Sequence, residues 1–248
     1  MALYFGVAIV AVLLSGVAGS AYYHYTQLSG VINFYHLALA FFLTLNVLVC
    51  LWEIGLGLYI KDIKKYYENT LLKKYPSRTE HFGATVNVFL HRMSLGELFS
   101  LKFWSERVWG TYSLYDPSYS NHESYGFFID VGNGWSTLLV SMYFLVGMTD
   151  TSIVRYTYSV ERTDTQVIDP LFFGMMGIIF FYQMFYGTII YFVQFIYHGR
   201  YKGRTVFEVA LFVGLNNGLW ILFPLMGMYC SATMIRSNSF DIVRKNHY

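Results

Sequence analysis

Five stretches of this chain, at about 3–23, 31–60, 127–149, 171–197 and 205–235, stay apolar for about 20 residues or more. A bilayer core of about 30 Å needs about 20 helical residues to cross. Unpaired backbone groups in lipid each cost several kcal/mol, so an open chain crosses only as helices. The sequence therefore predicts an all-α integral membrane protein of five transmembrane helices. Charge agrees, since 13% of the 248 residues are charged against about 25% in soluble domains. Such a chain lacks the polar surface of a soluble enzyme or a nucleic-acid-binding domain, and a net charge of +2 implies no polyanionic partner.

The first stretch has small residues near a possible cleavage point, Ala18, Gly19, Ser20 and Ala21. It lacks the basic start of a signal peptide and is read as a retained helix. No Arg-rich transit segment or lipidation motif is apparent at either end. The region divides as one membrane domain: two helices in 1–60, a basic loop over 61–126, three helices in 127–235 and a polar tail over 236–248. Lys and Arg concentrate in the loop over 61–126, where Lys61 to Arg107 supply nine, and in Arg200, Lys202 and Arg204. The opposite face has Arg155, Arg162, Arg236, Arg244 and Lys245. The positive-inside rule then puts the N-terminus and the long loop on the cytosol or matrix side. An endoplasmic reticulum or mitochondrial inner membrane fits that orientation.

Within the loop, Lys61 to Tyr75 continues the second helix. Leu98, Leu101, Trp104 and Val108 recur at spacings of three and four, beside Trp109. That periodicity predicts an amphipathic helix in the interface with its aromatics at headgroup depth. Cys50 and Cys230 both lie in apolar runs and make no disulfide framework. No two histidines stand at metal-ligand spacing, and no phosphate-loop, dinucleotide or hydrolase motif occurs, so no metal or cofactor is expected. His36 reads as an interfacial histidine, about 25 Å along one helix from Glu53.

Ionisable groups inside spans are functional candidates, because placing them there costs about 2.5 kcal/mol or more. Glu53 lies about two turns from one end of the second span. Asp130 enters the third span from that same side, and Asn133 follows on its face. Gln183 and Tyr186 on the fourth span, and Asn216, Asn217 and Trp220 on the fifth, fall at similar depth. The competing reading is polar glue between helices. The phrase Asp130-Val131-Gly132-Asn133-Gly134 reads as a close helix contact.

The segments carrying these groups resemble the emopamil-binding, or EXPERA, family. Val108-Trp109-Gly110-Thr111-Tyr112 followed by Tyr115-Asp116-Pro117-Ser118-Tyr119 is similar to its W-x-x-Y…D-S-R-Y segment, and Asp130 follows Tyr119 by the family's interval to an intramembrane acid. Gln183 to Gly187 with Tyr191-Phe192, and Asn217 to Pro224, resemble its fourth and fifth spans. The match covers about 108–230. The resemblance implies five helices around a sterol-sized cavity and, in catalytic members, cofactor-free movement of a sterol double bond. It assigns Asp130 an acid/base role, with Glu53 as its catalytic companion. Trp220 would shield a carbocation and Asn217 would orient a polar group, with Tyr119, Asn133, Gln183 and Tyr186 lining the ligand.

The chain departs from that pattern in several places. Val49 stands where active isomerases have a histidine, Asp130 replaces a glutamate, and no arginine follows Ser118. The expectation is a sterol- or lipid-binding protein without full isomerase activity. The alternatives are an accessory subunit of a large membrane assembly, such as a respiratory complex, and an active isomerase using Asp130. Partners would be a membrane lipid or sterol and other membrane subunits, with no nucleic acid.

Overall fold

A computed structural model describes residues 3–27, 30–122, 124–149 and 169–245. Arg155 and Arg162, part of the charge count above, lie outside them. The long helices are α1 (Phe5–Gln27), α2 (Phe34–Tyr66), α5 (Tyr125–Thr149), α6 (Pro170–Tyr197) and α7 (Asn216–Ser237). The shorter α3 (His81–Phe89) and α4 (Leu101–Tyr112) lie in the long loop. Helix α2 runs on through a π-helical stretch, Tyr67–Leu71, to Lys74, as the sequence predicts. Among the described residues the one departure from an all-α chain is a two-residue antiparallel pair, β1 (Leu3–Tyr4) with β2 (Arg92–Met93).

Four helices among the described residues are long and apolar enough to cross a membrane: Phe5–Thr26, Phe34–Lys74, Pro170–Tyr197 and Val206–Ser237. Helix α5, the predicted third span, has 25 residues. Its first half carries Asp130, Asn133 and three glycines, which dilute its apolar character.

The chain forms two compact units, each drawing segments from several long helices. The first comprises Met1–Ala11, Leu48–Leu138 and Gly187–Gly218. In it α4 lies against α2 where small residues permit. A side chain at Gly55 would collide with Ser105 Oγ at 1.9 Å, and one at Gly110 would meet the Tyr66 ring at 2.6 Å. The apolar face predicted for 98–108 does not rest at headgroup depth alone. Leu98, Trp104 and Val108 pack on Phe5, Ala8, Val88 and Met93, and Trp104 lies 4.4 Å from the Phe5 ring. Helix periodicity is the same whether the apolar partner is lipid or protein, which is why the pattern alone did not separate them.

A second cluster of this unit joins Leu71, Ala84, Leu114 and Tyr115. Here His81 is buried, its Nδ1 3.3 Å from Arg204 Nη1, and the Arg204 guanidinium lies 4.6 Å over the Tyr115 ring. Burial first, and then the Arg204 charge, holds the His81 imidazole below its usual range. The folded state thus resists a proton that the unfolded state accepts near pH 6.5, so stability falls as pH drops through that value. Melting temperature should decrease between pH 7.5 and pH 5, and His81→Gln should shrink the decrease. An equal acid-induced decrease in parent and variant would show that His81 plays no part.

The second unit comprises Val12–Val47, Leu139–Tyr186 and Leu219–Tyr248. Phe42, Phe144, Phe173, Phe181, Met184 and Met234 form its core. Helices α6 and α7 approach closely there, since a Cβ at Gly177 would come 2.1 Å from Ser231 Oγ and one at Gly227 2.6 Å from the Phe181 ring. Small residues on facing helices permit such contact in membrane proteins. His36, expected at the interface, is buried. It stacks on His24 with ring centres 3.8 Å apart and lies 3.2 Å from both Ser20 Oγ and Thr149 Oγ1. The turn Asp241–Arg244 closes this end, with Arg244 donating to the Gly147 carbonyl at 2.7 Å.

Candidate functional site

The first unit gathers five of the eight sequence-predicted residues: Glu53, Tyr119, Asp130, Asn133 and Asn217. Helix α2 supplies Glu53 and α5 supplies Asp130, and Gly134 is what lets the two helices meet. A Cβ there would sit 2.8 Å from Glu53 Cβ, 2.9 Å from Ile54 N and 3.0 Å from the Cys50 carbonyl. The close contact expected of the Gly-rich phrase is therefore at Gly134, whereas Gly132 has open space around it. Glu53 is buried, and its Oε2 has no hydrogen-bond partner among the described residues. Asp130 stands one helical turn before Gly134 on the same face of α5, so the two carboxyls lie on the same side of this contact. Beside them the Cys50 thiol lies 3.1 Å from Thr137 Oγ1, and Thr137 donates to the Asn133 carbonyl at 2.9 Å.

The loop segment after α4 brings Tyr119 under Asp130. Asp116 caps this segment, its Oδ1 accepting from Ser118 N at 3.0 Å. Tyr119 is buried, and its hydroxyl would lie 3.5 Å from a Cβ at Gly126, one helical turn before Asp130 on α5. Its ring stacks on Trp109 at 5.0 Å and meets Tyr112 edge-on at the same separation. Trp109 is pinned by donating its indole N–H to the Trp52 carbonyl at 2.7 Å. Tyr112 and Tyr191 share a hydroxyl contact of 2.8 Å, and Asn217 Nδ2 donates to Tyr112 at 2.9 Å. Asn217 stands at the start of α7, just beyond the π-helical stretch Ala210–Leu215. Such π-turns inside helices recur at functional sites.

Burial pushes the Tyr112 and Tyr119 phenols above their usual range, with the Asp130 charge adding to the effect at Tyr119. Both stay protonated at physiological pH and serve as donors. The arrangement is a donor-rich phenol cluster with aromatic faces, next to two carboxyls of which one has an unoccupied oxygen. It can hold a polar group of an otherwise apolar molecule, and its rings can face a developing cation.

An arginine was missing from the Asp116-Pro117-Ser118 segment in sequence. The structure supplies one from elsewhere: Arg200 pairs with Asp116 and reaches Ser118 Oγ at 3.3 Å. Helix α6 ends so as to present it. Gly199 adopts a left-handed backbone (φ 61°), its N–H bonds the Ile196 carbonyl, and Arg200 N–H bonds Phe195. These paired bonds are a Schellman cap, which favours glycine at the left-handed position.

The remaining predicted residues belong to the second unit. Trp220 donates its indole N–H to Asn46 Oδ1 at 3.0 Å and packs edge-on to Phe42 at 5.6 Å, while Asn46 donates to Ser141 at 2.8 Å. Gln183 is half-buried, and Tyr186 is exposed, stacked on Tyr182. Trp109, Tyr112 and Tyr191 are members of the polar cluster that sequence reasoning did not select, although all three lie in the quoted motifs. Their signal was a run of aromatics with hydroxyl or indole N–H groups, read as belt and interface residues. Among the described residues no group of three His, Cys, Asp or Glu side chains could hold a metal. Neither protein-family models, nor curated proteins, nor solved structures give a match to this chain.

Proposed function

We propose that this chain is a membrane-embedded lipid- or sterol-binding protein of emopamil-binding type, with α5 as a fifth crossing helix. Glu53 and Asp130 receive the polar group of an apolar ligand there. One observation carries this reading: Glu53 Oε2 is buried, has no hydrogen-bond partner among the described residues and lies at the same α2–α5 contact as a second carboxyl, near a protonated tyrosine cluster. A buried polar atom without a partner costs about 1–3 kcal/mol, and a ligand hydroxyl donating to it would remove that cost. The motif resemblance over 108–230 supports the sterol class. The missing histidine at Val49 argues against full isomerase activity. The loop and N-terminus then face cytosol or matrix, in an endoplasmic reticulum or mitochondrial inner membrane.

A photoreactive cholesterol analogue tests the reading in the solubilised full-length protein. Labelling should be saturable and should fall about tenfold in Glu53→Gln and Asp130→Asn, the scale of one lost charge-assisted hydrogen bond. Unchanged labelling in both folded variants would defeat it. Sterol double-bond shift in the parent, abolished by Asp130→Asn, would instead establish the isomerase alternative.

A second reading is favoured by how other polar candidates are used. Trp220–Asn46–Ser141 and Asn217–Tyr112–Tyr191 tie helices within their units, as expected of a structural subunit in a membrane assembly. Gentle solubilisation and sizing separates the two, since a subunit leaves the membrane in a large particle of fixed stoichiometry.

A further inference from the structure

A cavity of about 450 Å³ opens in the first unit, away from the acid pair, bounded by Arg78, Thr79, Phe82, Arg204, Phe207 and Glu208. Two guanidiniums face one space there, and among the described residues neither has a carboxylate within ion-pair distance. Arg78 donates to the Lys202 carbonyl and Arg204 to the Leu114 carbonyl, both neutral acceptors. Arg204 Nε is buried with no hydrogen-bond partner among the described residues. The carboxylate of Glu208 is already engaged, accepting from Thr205 N at 3.0 Å and Thr205 Oγ1 at 2.8 Å. The pocket therefore keeps an excess of unneutralised positive charge.

Its walls are apolar and continue outward. Phe82 and Phe207 lie 6.2 Å apart between ring centres. Along α3, Phe82, Val86 and Phe89 are exposed at helical spacings of four and three, while His81, Ala84, Thr85 and Val88 are buried on the opposite side. Val206 is 87% and Phe207 64% exposed, far more than apolar residues tolerate beside water as a contiguous surface. Charge at one end of an apolar stripe matches a molecule with an anionic head and hydrocarbon tails.

We propose that the cavity between Arg78 and Arg204 binds the phosphate headgroup of an anionic membrane lipid, with an acyl chain lying along Phe82, Val86 and Phe89. Guanidiniums suit the geometry of phosphate oxygens. Basic pockets at the cytosolic or matrix ends of membrane helices are suited to such headgroups. A zwitterionic headgroup would bring its own cation against two arginines and bind less well.

The test is native mass spectrometry of the full-length protein in neutral detergent. It is offered phosphatidylglycerol and phosphatidylcholine of matched chains. Phosphatidylglycerol should be retained preferentially, and Arg78→Gln should lower its retention about fivefold, the scale of one basic residue near an anionic lipid. Arg78 is the position of choice because Arg204 also ties down Leu114. Phe207→Ser should weaken retention as well, through the lost hydrocarbon contact. Equal retention of the two lipids, or an Arg78→Gln variant that holds phosphatidylglycerol like the parent, would overturn the proposal. Complete displacement by glycerol phosphate, with no effect of Phe207→Ser, would make this a site for free phosphate and reject the lipid.

Discussion

Gly134→Val is expected to destabilise the protein by about 3 kcal/mol, the upper end of the usual overpacking cost. Two of the three atoms that a Cβ would strike, Ile54 N and the Cys50 carbonyl oxygen, belong to the backbone of α2. Backbone in a helix cannot rotate aside as a side chain can. The helices must separate, and the Glu53 and Asp130 carboxyls move with them. Against a total stability of about 5–15 kcal/mol, such a loss changes the folded-to-unfolded ratio roughly a hundredfold. Gly132→Ala supplies the contrast, because nothing lies within 4 Å of its Cβ. Alanine is about 1 kcal/mol better than glycine in a helix interior, so that variant should equal or exceed the parent. Thermal unfolding followed by tryptophan fluorescence reads both. A Gly134→Val protein melting within about 2 °C of the parent would mean that α2 and α5 do not cross here.

Arg200→Gln should cost a similar or larger amount, about 3–5 kcal/mol, the range for breaking a buried ion pair from one side. The Asp116 side chain has no exposure to solvent, and that of Arg200 has only 15%. Removing the guanidinium leaves the carboxylate in a dry site with one backbone N–H, from Ser118, to answer it. The Asp116-to-Tyr119 segment should loosen and carry Tyr119 away from Asp130. Pairing the change with Asp116→Asn should recover much of the loss, since asparagine keeps an oxygen for Ser118 N without the charge. A double-mutant cycle reads the coupling directly. Strictly additive effects of the two substitutions would rule out the pair as a structural tie.

Much of the site was legible from residue type. Carboxyl and amide groups inside apolar runs stand out because lipid offers them nothing, and Glu53, Asp130 and Asn217 were chosen on that ground alone. The motif words also held Tyr119, which lies in the first unit with Glu53 and Asp130. The partners of these groups were not legible. Tyr112 meets Tyr191 across 79 residues of sequence and Asn217 across 105, and Arg200 reaches Asp116 across 84. Trp104 and Trp109, read as aromatics at headgroup depth, also pack on protein, since an aromatic suits an interface and a protein crevice equally well. Trp220, read as a cation shield, donates to Asn46 and packs against Phe42.

The sequence by itself determined that the chain is helical and membrane-bound, because those properties follow from local terms. Hydropathy adds up along each run, and an isolated segment in lipid must satisfy its own backbone. A glycine at a left-handed position ends a helix through local terms as well, as at Gly199. The tertiary structure alone decided which polar groups meet. A lone Glu or Arg is costly in a membrane protein whatever its neighbours, so sequence marks the cost but not its remedy. Burial left the remedy to Arg200 for Asp116, and to none of the described residues for Glu53 Oε2.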